Sequence, residues 1–144
     1  MKVRIGKYPN HYFWHNWLYK LFGYSPKQRV KIKIDTQDTW SMDCTLAPII
    51  LPMLVQLQQT KHGHPYGLTE QEWDDILDEM IWAFEQKCRD HWQDDFYGDY
   101  IEDPKNGSMA GSFEWIDHDG MKAHQTRMSN GFRLFGKYYE NLWD

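Results

Sequence analysis

Near the end of the chain, cations and aromatic rings are interleaved. Arg133, Lys137 and Tyr138 fall within the run Asn-Gly-Phe-Arg-Leu-Phe-Gly-Lys-Tyr-Tyr at residues 130–139. Arg133 and Lys137 are four residues apart, so a helix puts them on one face. Such a face can pair with phosphate oxygens and offer a ring for a planar base to stack on. A second group lies earlier: Trp40, then Lys61, His62 and Tyr66 around Gly63 and Pro65. A loop with a cation, imidazoles and free amides can hold an anion. Each feature also has a plainer explanation. Gly63 and Pro65 suit a helix end, and Arg133 and Lys137 suit a solvated face beside a core stripe.

Metal and acid–base chemistry have weaker footing. His11 and His15 stand at i, i+4, a spacing that can chelate a transition metal, but the residues between them are Tyr-Phe-Trp and supply no glutamate. Structural histidines explain the pair, and His62 and His64 flank a glycine in a loop. Asp74, Asp75, Asp78 and Glu79 could suggest two metals, yet their spacing sets them opposite an apolar stripe. Glu85 lies nearer that stripe and calls for a cation, from Arg127 or Arg133. Cys44 and Cys88 fit apolar helix positions and belong to no redox or nucleophile motif. Ser41 reads as a helix cap, and there is neither a P-loop nor a G-x-G-x-x-G. The expectation is a protein without a cofactor, a resident metal or a catalytic constellation.

The elements that hold these residues can be read from periodicity. Residues 3–5 suggest a short strand and residues 11–22 an aromatic helix stopped at Gly23, apolar on nearly every side and so wedged between other elements. Residues 28–35 alternate Val30, Ile32 and Ile34 with Arg29, Lys31 and Lys33, a half-buried strand with a basic outer face. Residues 39–60 predict a helix bent or broken near Pro48 and Pro52. Thr69 and Glu72 form a capping box, after which Trp73, Leu77, Met80, Phe84, Cys88, Trp92 and Phe96 predict a helix running almost to Gly98. Residues 98–112, with Pro104, Asn106 and Gly107, read as a loop, followed by a strand at 112–116. A last helix, capped by Asp117 or Asp119, runs to about Leu142. Gly131 and Gly136 within it call for close packing against a neighbouring helix. The expected fold is a single α+β domain over residues 1–144, rich in helix: three or four packed helices with a small basic sheet.

Composition agrees with a folded chain: 144 residues, 41% hydrophobic and 26% charged. Charge is segregated. Residues 1–34 carry eight basic side chains and no acid, whereas residues 69–103 carry thirteen acids against Lys87 and Arg89. Either the basic part lies against the acidic helix, in the same or a neighbouring copy, or it is a phosphate-binding face. A net charge of −5 argues against duplex DNA as partner. The longest apolar run, residues 46–55, is too short to span a bilayer. Two cysteines cannot build a disulfide framework, which points to a reducing compartment.

Several irregular runs resemble a family of small proteins encoded by tailed bacteriophages. They are Asp38-Thr39-Trp40-Ser41-Met42-Asp43, Ile49-Ile50-Leu51-Pro52-Met53-Leu54, Thr60-Lys61-His62-Gly63, Leu77-Asp78-Glu79-Met80-Ile81 and residues 130–144. The resemblance covers most of residues 30–144 and brings no catalytic residue with it. Members usually have His where this chain has Cys44, and a longer acidic loop after the position of Pro65. The resemblance implies an accessory or counter-defence protein in the cytoplasm of an infected bacterium. Joined to the aromatic-cationic runs, it gives the leading expectation: non-catalytic sequestration of a nucleotide-like small molecule by Trp40, Lys61, His62, Tyr66, Arg133, Lys137 and Tyr138, in a homo-oligomer. Two rivals stand beside it. One is a module that inhibits or redirects a host protein through the acidic helix. The other is a metal-dependent nucleotide hydrolase using His11, His15, His62 or His64. Neither duplex DNA nor a membrane is an expected partner.

Overall fold

A computed structural model describes the backbone of the chain except at positions 8, 10, 11, 24, 104–106 and 144, and the side chains except at these and at 103 and 107–110. It is a helix-rich α+β protein whose close contacts divide into two compact units, Met1–Met42 and Asp43–Asp144. Among the described residues no helix is long and apolar enough to cross a membrane.

The first unit holds β1 (Lys2–Ile5), α1 (Phe13–Phe22) and β2 (Val30–Lys33). β1 and β2 pair antiparallel in a two-stranded sheet. The alternation in β2 is real, but its apolar face is not half-buried: Val30 and Ile32 are each more than half exposed. No other described element of the unit packs closely on the sheet, so within this unit that apolar face is left uncovered. α1 stops at Gly23, whose positive φ lets its N–H reach the Tyr19 carbonyl at 2.9 Å. The expected wedging of α1 is not found, since Phe13, Trp14, Trp17 and Phe22 are exposed. His15 is buried; its Nδ1 accepts from the Tyr12 N–H at 2.9 Å and its ring lies against Trp14. His11, its suggested metal partner, lies outside the described residues.

The second unit is a three-helix assembly with a hairpin. α2 (Met42–Thr60) follows a short 3-10 turn, Thr36–Thr39, and runs unbroken through Pro48 and Pro52. The expected break is absent because the prolines are four apart and both exposed. The two carbonyls that lose their helical donors, those of Cys44 and Pro48, therefore sit on a face that water reaches. α3 (Glu70–Cys88) begins at the capping box: Thr69 Oγ1 accepts from the Glu72 N–H at 3.2 Å, and the Glu72 carboxylate accepts from the Thr69 N–H at 2.7 Å. The bond from the Thr69 N–H, and a second from the Thr69 hydroxyl at 2.8 Å, hold the Glu72 carboxyl below its ordinary pKa.

α3 ends at Cys88 rather than near Gly98. His91 adopts a left-handed conformation, and Trp92–Phe96 continues as a 3-10 turn. Arg89 reaches back over this reversal to Asp95 with two bonds of 2.6 Å. The expected loop at 98–112 is instead a hairpin of β3 (Tyr100–Asp103) and β4 (Gly107–Phe113), with Tyr100 opposite Phe113. Pro104 and Asn106 of the expected loop lie outside the described residues. The strand expected at 112–116 survives as the end of β4 and one bridge between Tyr97 and Ile116.

α4 (His118–Lys137) is capped by Asp117, which accepts from the Gly120 N–H at 2.8 Å, and gives way to a 3-10 turn at Tyr139–Asn141. The core lies where α2, α3 and α4 meet. Ala47 and Leu54 come from α2, Trp73, Leu77, Met80 and Phe84 from α3, and Met128 from α4. Phe84 meets Phe132 and Phe135 edge-on. α2 and α3 run antiparallel, tied along their length by Asp43 with Lys87, Gln58 with Asp78 and Lys61 with Asp74. The Asp43 carboxyl is held below, and the Lys87 ammonium above, its ordinary pKa, each chiefly by hydrogen bonding to the other.

Three further expectations change. Glu85 is exposed, and the cation sought for it goes elsewhere: Arg127 binds Glu79. Cys44 and Cys88 are exposed rather than apolar core residues. Close packing holds for Gly131 and fails for Gly136, around which a methyl group would meet nothing.

Candidate functional site

The segment joining α2 to α3 is fixed at both ends. The Lys61 N–H closes α2 on the Leu57 carbonyl at 2.8 Å. Its ammonium, on a side chain only 9% exposed, binds Asp74 at 3.0 Å and approaches Glu70 at 3.8 Å. At the far end the Leu68 N–H closes a turn on the Pro65 carbonyl at 3.2 Å, and Leu68 packs on the core. Gly67 supplies the positive φ that this turn demands. Tyr66, at the tip, is left fully exposed.

This turn faces the end of the chain across a cleft of about 370 Å³, lined by Gly63, His64, Pro65, Tyr66, Trp73, Asn141 and Trp143. Trp73 is 2% exposed and braced by an edge contact with Tyr138, ring centres 5.5 Å apart. Its ring is therefore held rigidly from the core side. Trp143 is exposed, and Asn141 is set in place by its N–H on the Tyr138 carbonyl at 2.8 Å. Three aromatic side chains, one imidazole and one carboxamide thus surround a space within the volume range of small-molecule sites.

Of the residues singled out in the sequence, Tyr66 lines this cleft, Tyr138 supports its wall, and Lys61 anchors the loop that forms its rim. His62 lies in the same loop but not in the lining. Arg133 and Lys137 are on α4, outside the lining; Arg133 donates to Asn130 Oδ1 at 2.8 Å, and the Lys137 ammonium lies over the Tyr138 ring and donates to its hydroxyl. Trp40 is exposed and belongs to the first unit. Sequence reasoning missed Trp73, Asn141 and Trp143, and offered His64 only as a metal ligand or as part of an anion-binding loop. Trp73 carried the signal of a core stripe, and Trp143 reaches the cleft only because α4 ends in a 3-10 turn.

A second concavity, of about 640 Å³, runs between α2 and the end of the chain. It is lined by Leu46, Ile50, Met53, Leu54, Leu57, Phe135, Tyr139 and Leu142. Among the described residues no three His, Cys, Asp or Glu side chains form a group that could hold a metal ion. Comparison of the chain with family models, with curated proteins and with solved structures gave no match.

Proposed function

We propose that the cleft binds the planar base of a nucleotide-like small molecule, and that the protein acts by holding this ligand rather than by transforming it. The observation that carries the reading is the placement of Tyr66, Trp73 and Trp143 in the lining of one small cleft. Stacking on such rings is worth about 1–3 kcal/mol per base and tolerates different bases. His64 and Asn141 add a donor and an acceptor for a base edge. Among the described residues the lining has one imidazole and no carboxylate or thiol, a set suited to orienting a ligand. Lys61, expected to meet phosphate, is engaged by two carboxylates, so the base end of the ligand has the better support. In the infected cell that the phage resemblance implies, retention of a host nucleotide signal would be a counter-defence activity.

Tryptophan fluorescence titrated with adenine, AMP, cyclic di-AMP and ribose 5-phosphate tests this. Quenching by the base-containing compounds, weakened about tenfold or more in Trp143→Ala and Tyr66→Ala, is expected from the loss of one stacking partner. Absence of binding by all four compounds, or binding unchanged in both variants, overturns the reading. The apolar concavity favours a second reading, docking of a host protein. Capture of a lysate protein that is lost in Met53→Glu, with no nucleotide bound, would select it.

A further inference from the structure

In the sheet of the first unit, Lys2 stands opposite Lys33 and Arg4 opposite Lys31, while Val3 faces Ile32 and Ile5 faces Val30. Strand alternation therefore gathers four cations on one face. Like charges directly opposite each other weaken a strand pair, and here two such pairs follow in succession. Within this unit, among the described residues, the side chains of Lys2, Arg4, Arg29, Lys31 and Lys33 make no ion pair. The unit has only two acids, and one of them, Asp38, is engaged by the Met1 amino group and the Asp35 N–H. The pairing continues beyond β1, with the Gly6 N–H on the Arg29 carbonyl at 2.8 Å. There Arg4, Gly6, Arg29 and Lys31 line a hollow of about 330 Å³, ample for a phosphate group.

We propose that this cationic face binds single-stranded nucleic acid through its phosphates. Side chains on one face of a strand recur about every 6.6–6.8 Å, a spacing comparable to that of successive phosphates in an extended polynucleotide. Guanidinium from Arg4 and Arg29 gives bidentate pairing, and the lysines add point charge. The same unit exposes Phe13, Trp17 and Phe22 on α1. Unpaired bases can stack on such rings, whereas bases held in a duplex cannot. The site is separate from the aromatic cleft and does not rest on it.

The test is fluorescence anisotropy of a labelled DNA strand of about 15 nucleotides with the full chain, from about 50 to 200 mM salt. Binding is expected to weaken with salt at a log–log slope of about −2 to −3, as three or four phosphate contacts dictate. Arg4→Glu turns a repulsive cross-strand pair with Lys31 into an attractive one, and Lys33→Glu does the same with Lys2. Both variants should keep the fold, checked by circular dichroism, yet bind the strand at least tenfold more weakly. Wild-type affinity in both variants, salt-independent binding, or equal affinity for the matching duplex overturns the proposal. So does failure to bind the strand, whether the face then proves to bind anionic vesicles or a second copy of the chain.

Discussion

Gly131 of α4 lies directly against Ala83 of α3. A methyl group built on Gly131 would overlap the Ala83 side chain and come within 2.6 Å of the Glu79 carbonyl oxygen. The absent side chain is what brings the two helices together, and it offsets the helix-propensity cost of glycine. Gly136, one and a half turns on, has open space around it. The two glycines should therefore respond oppositely to the same change. Gly131→Ala should destabilise by about 1–3 kcal/mol through overpacking. Gly136→Ala should stabilise by about 0.5–1 kcal/mol, because it restricts the unfolded chain and meets nothing in the folded one. Urea midpoints of the two variants decide the matter, and shifts of the same sign would contradict it.

Pro48 and Pro52 pose a related question, because α2 tolerates both without ending. Proline in a helix interior is about 3 kcal/mol less favourable than alanine. Hydration of the exposed face reduces that cost but leaves the hydrogen bond unmade. Pro52→Ala restores a donor to the Pro48 carbonyl and should stabilise the protein by about 1–3 kcal/mol, less the entropy regained by the unfolded chain. A lowered melting temperature would mean that the ring of Pro52 is needed for the path of the helix.

Local chemistry was legible wherever one element decides it. The capping box of Thr69 and Glu72 needs only four residues, and it stands where the sequence puts it. The stop at Gly23 is of the same kind. Trp92 and Phe96 misled for a physical reason: their spacing from Cys88 stays helical while the backbone reverses at His91, so periodicity survives the break. The site was less legible still. Tyr66 could be recognised as a loop aromatic, but its partners depend on where α4 ends and on how α3 is rotated. Lys61 looked available for phosphate because its partners, Asp74 and Glu70, come from the next helix.

His124 carries a pH dependence that follows from its surroundings. Its ring stacks on Trp92 at 4.5 Å and meets Trp82 and Phe96 edge-on. Nε2 lies 3.2 Å from Gln86 Oε1, and Nδ1 is buried without a partner among the described residues. Burial pushes the imidazole below its ordinary pKa; Asp95 opposes this, while Arg89 and Arg127 add to it. A histidine depressed in the folded state binds its proton more readily when unfolded. Its contribution is thus fully present above the ordinary histidine value and is lost as pH falls through the lower, folded value. As pH falls below about 6.5, the ordinary histidine value, the wild type should lose stability, and His124→Phe, which keeps a ring in the slot, should lose less. Parallel pH profiles for the two proteins would exclude the imidazole as the source.

Arg127 joins two helices by two contacts at once. Its guanidinium donates to both carboxylate oxygens of Glu79, at 3.0 and 2.7 Å, and lies 3.9 Å from the centre of the Trp82 ring. Hydrogen bonding to Arg127 holds the Glu79 carboxyl below its ordinary pKa, and the Arg127 value moves up in step. The side chains are 49% and 32% exposed, so solvent screens the pair and its worth is about 0.5–1 kcal/mol. The ring contact adds about as much again. Arg127→Ala should therefore cost about 1–2 kcal/mol at neutral pH. Arg127→Lys should recover part of that, since lysine keeps the charge but cannot form the fork. A carboxylate with a lowered folded pKa stabilises above its ordinary value, and that contribution is lost as pH falls through the folded one. The wild type should accordingly lose its advantage over Arg127→Ala in acid, below about pH 4.5. A double-mutant cycle with Glu79→Gln separates the two contacts: coupling near zero would assign the whole effect to the Trp82 ring.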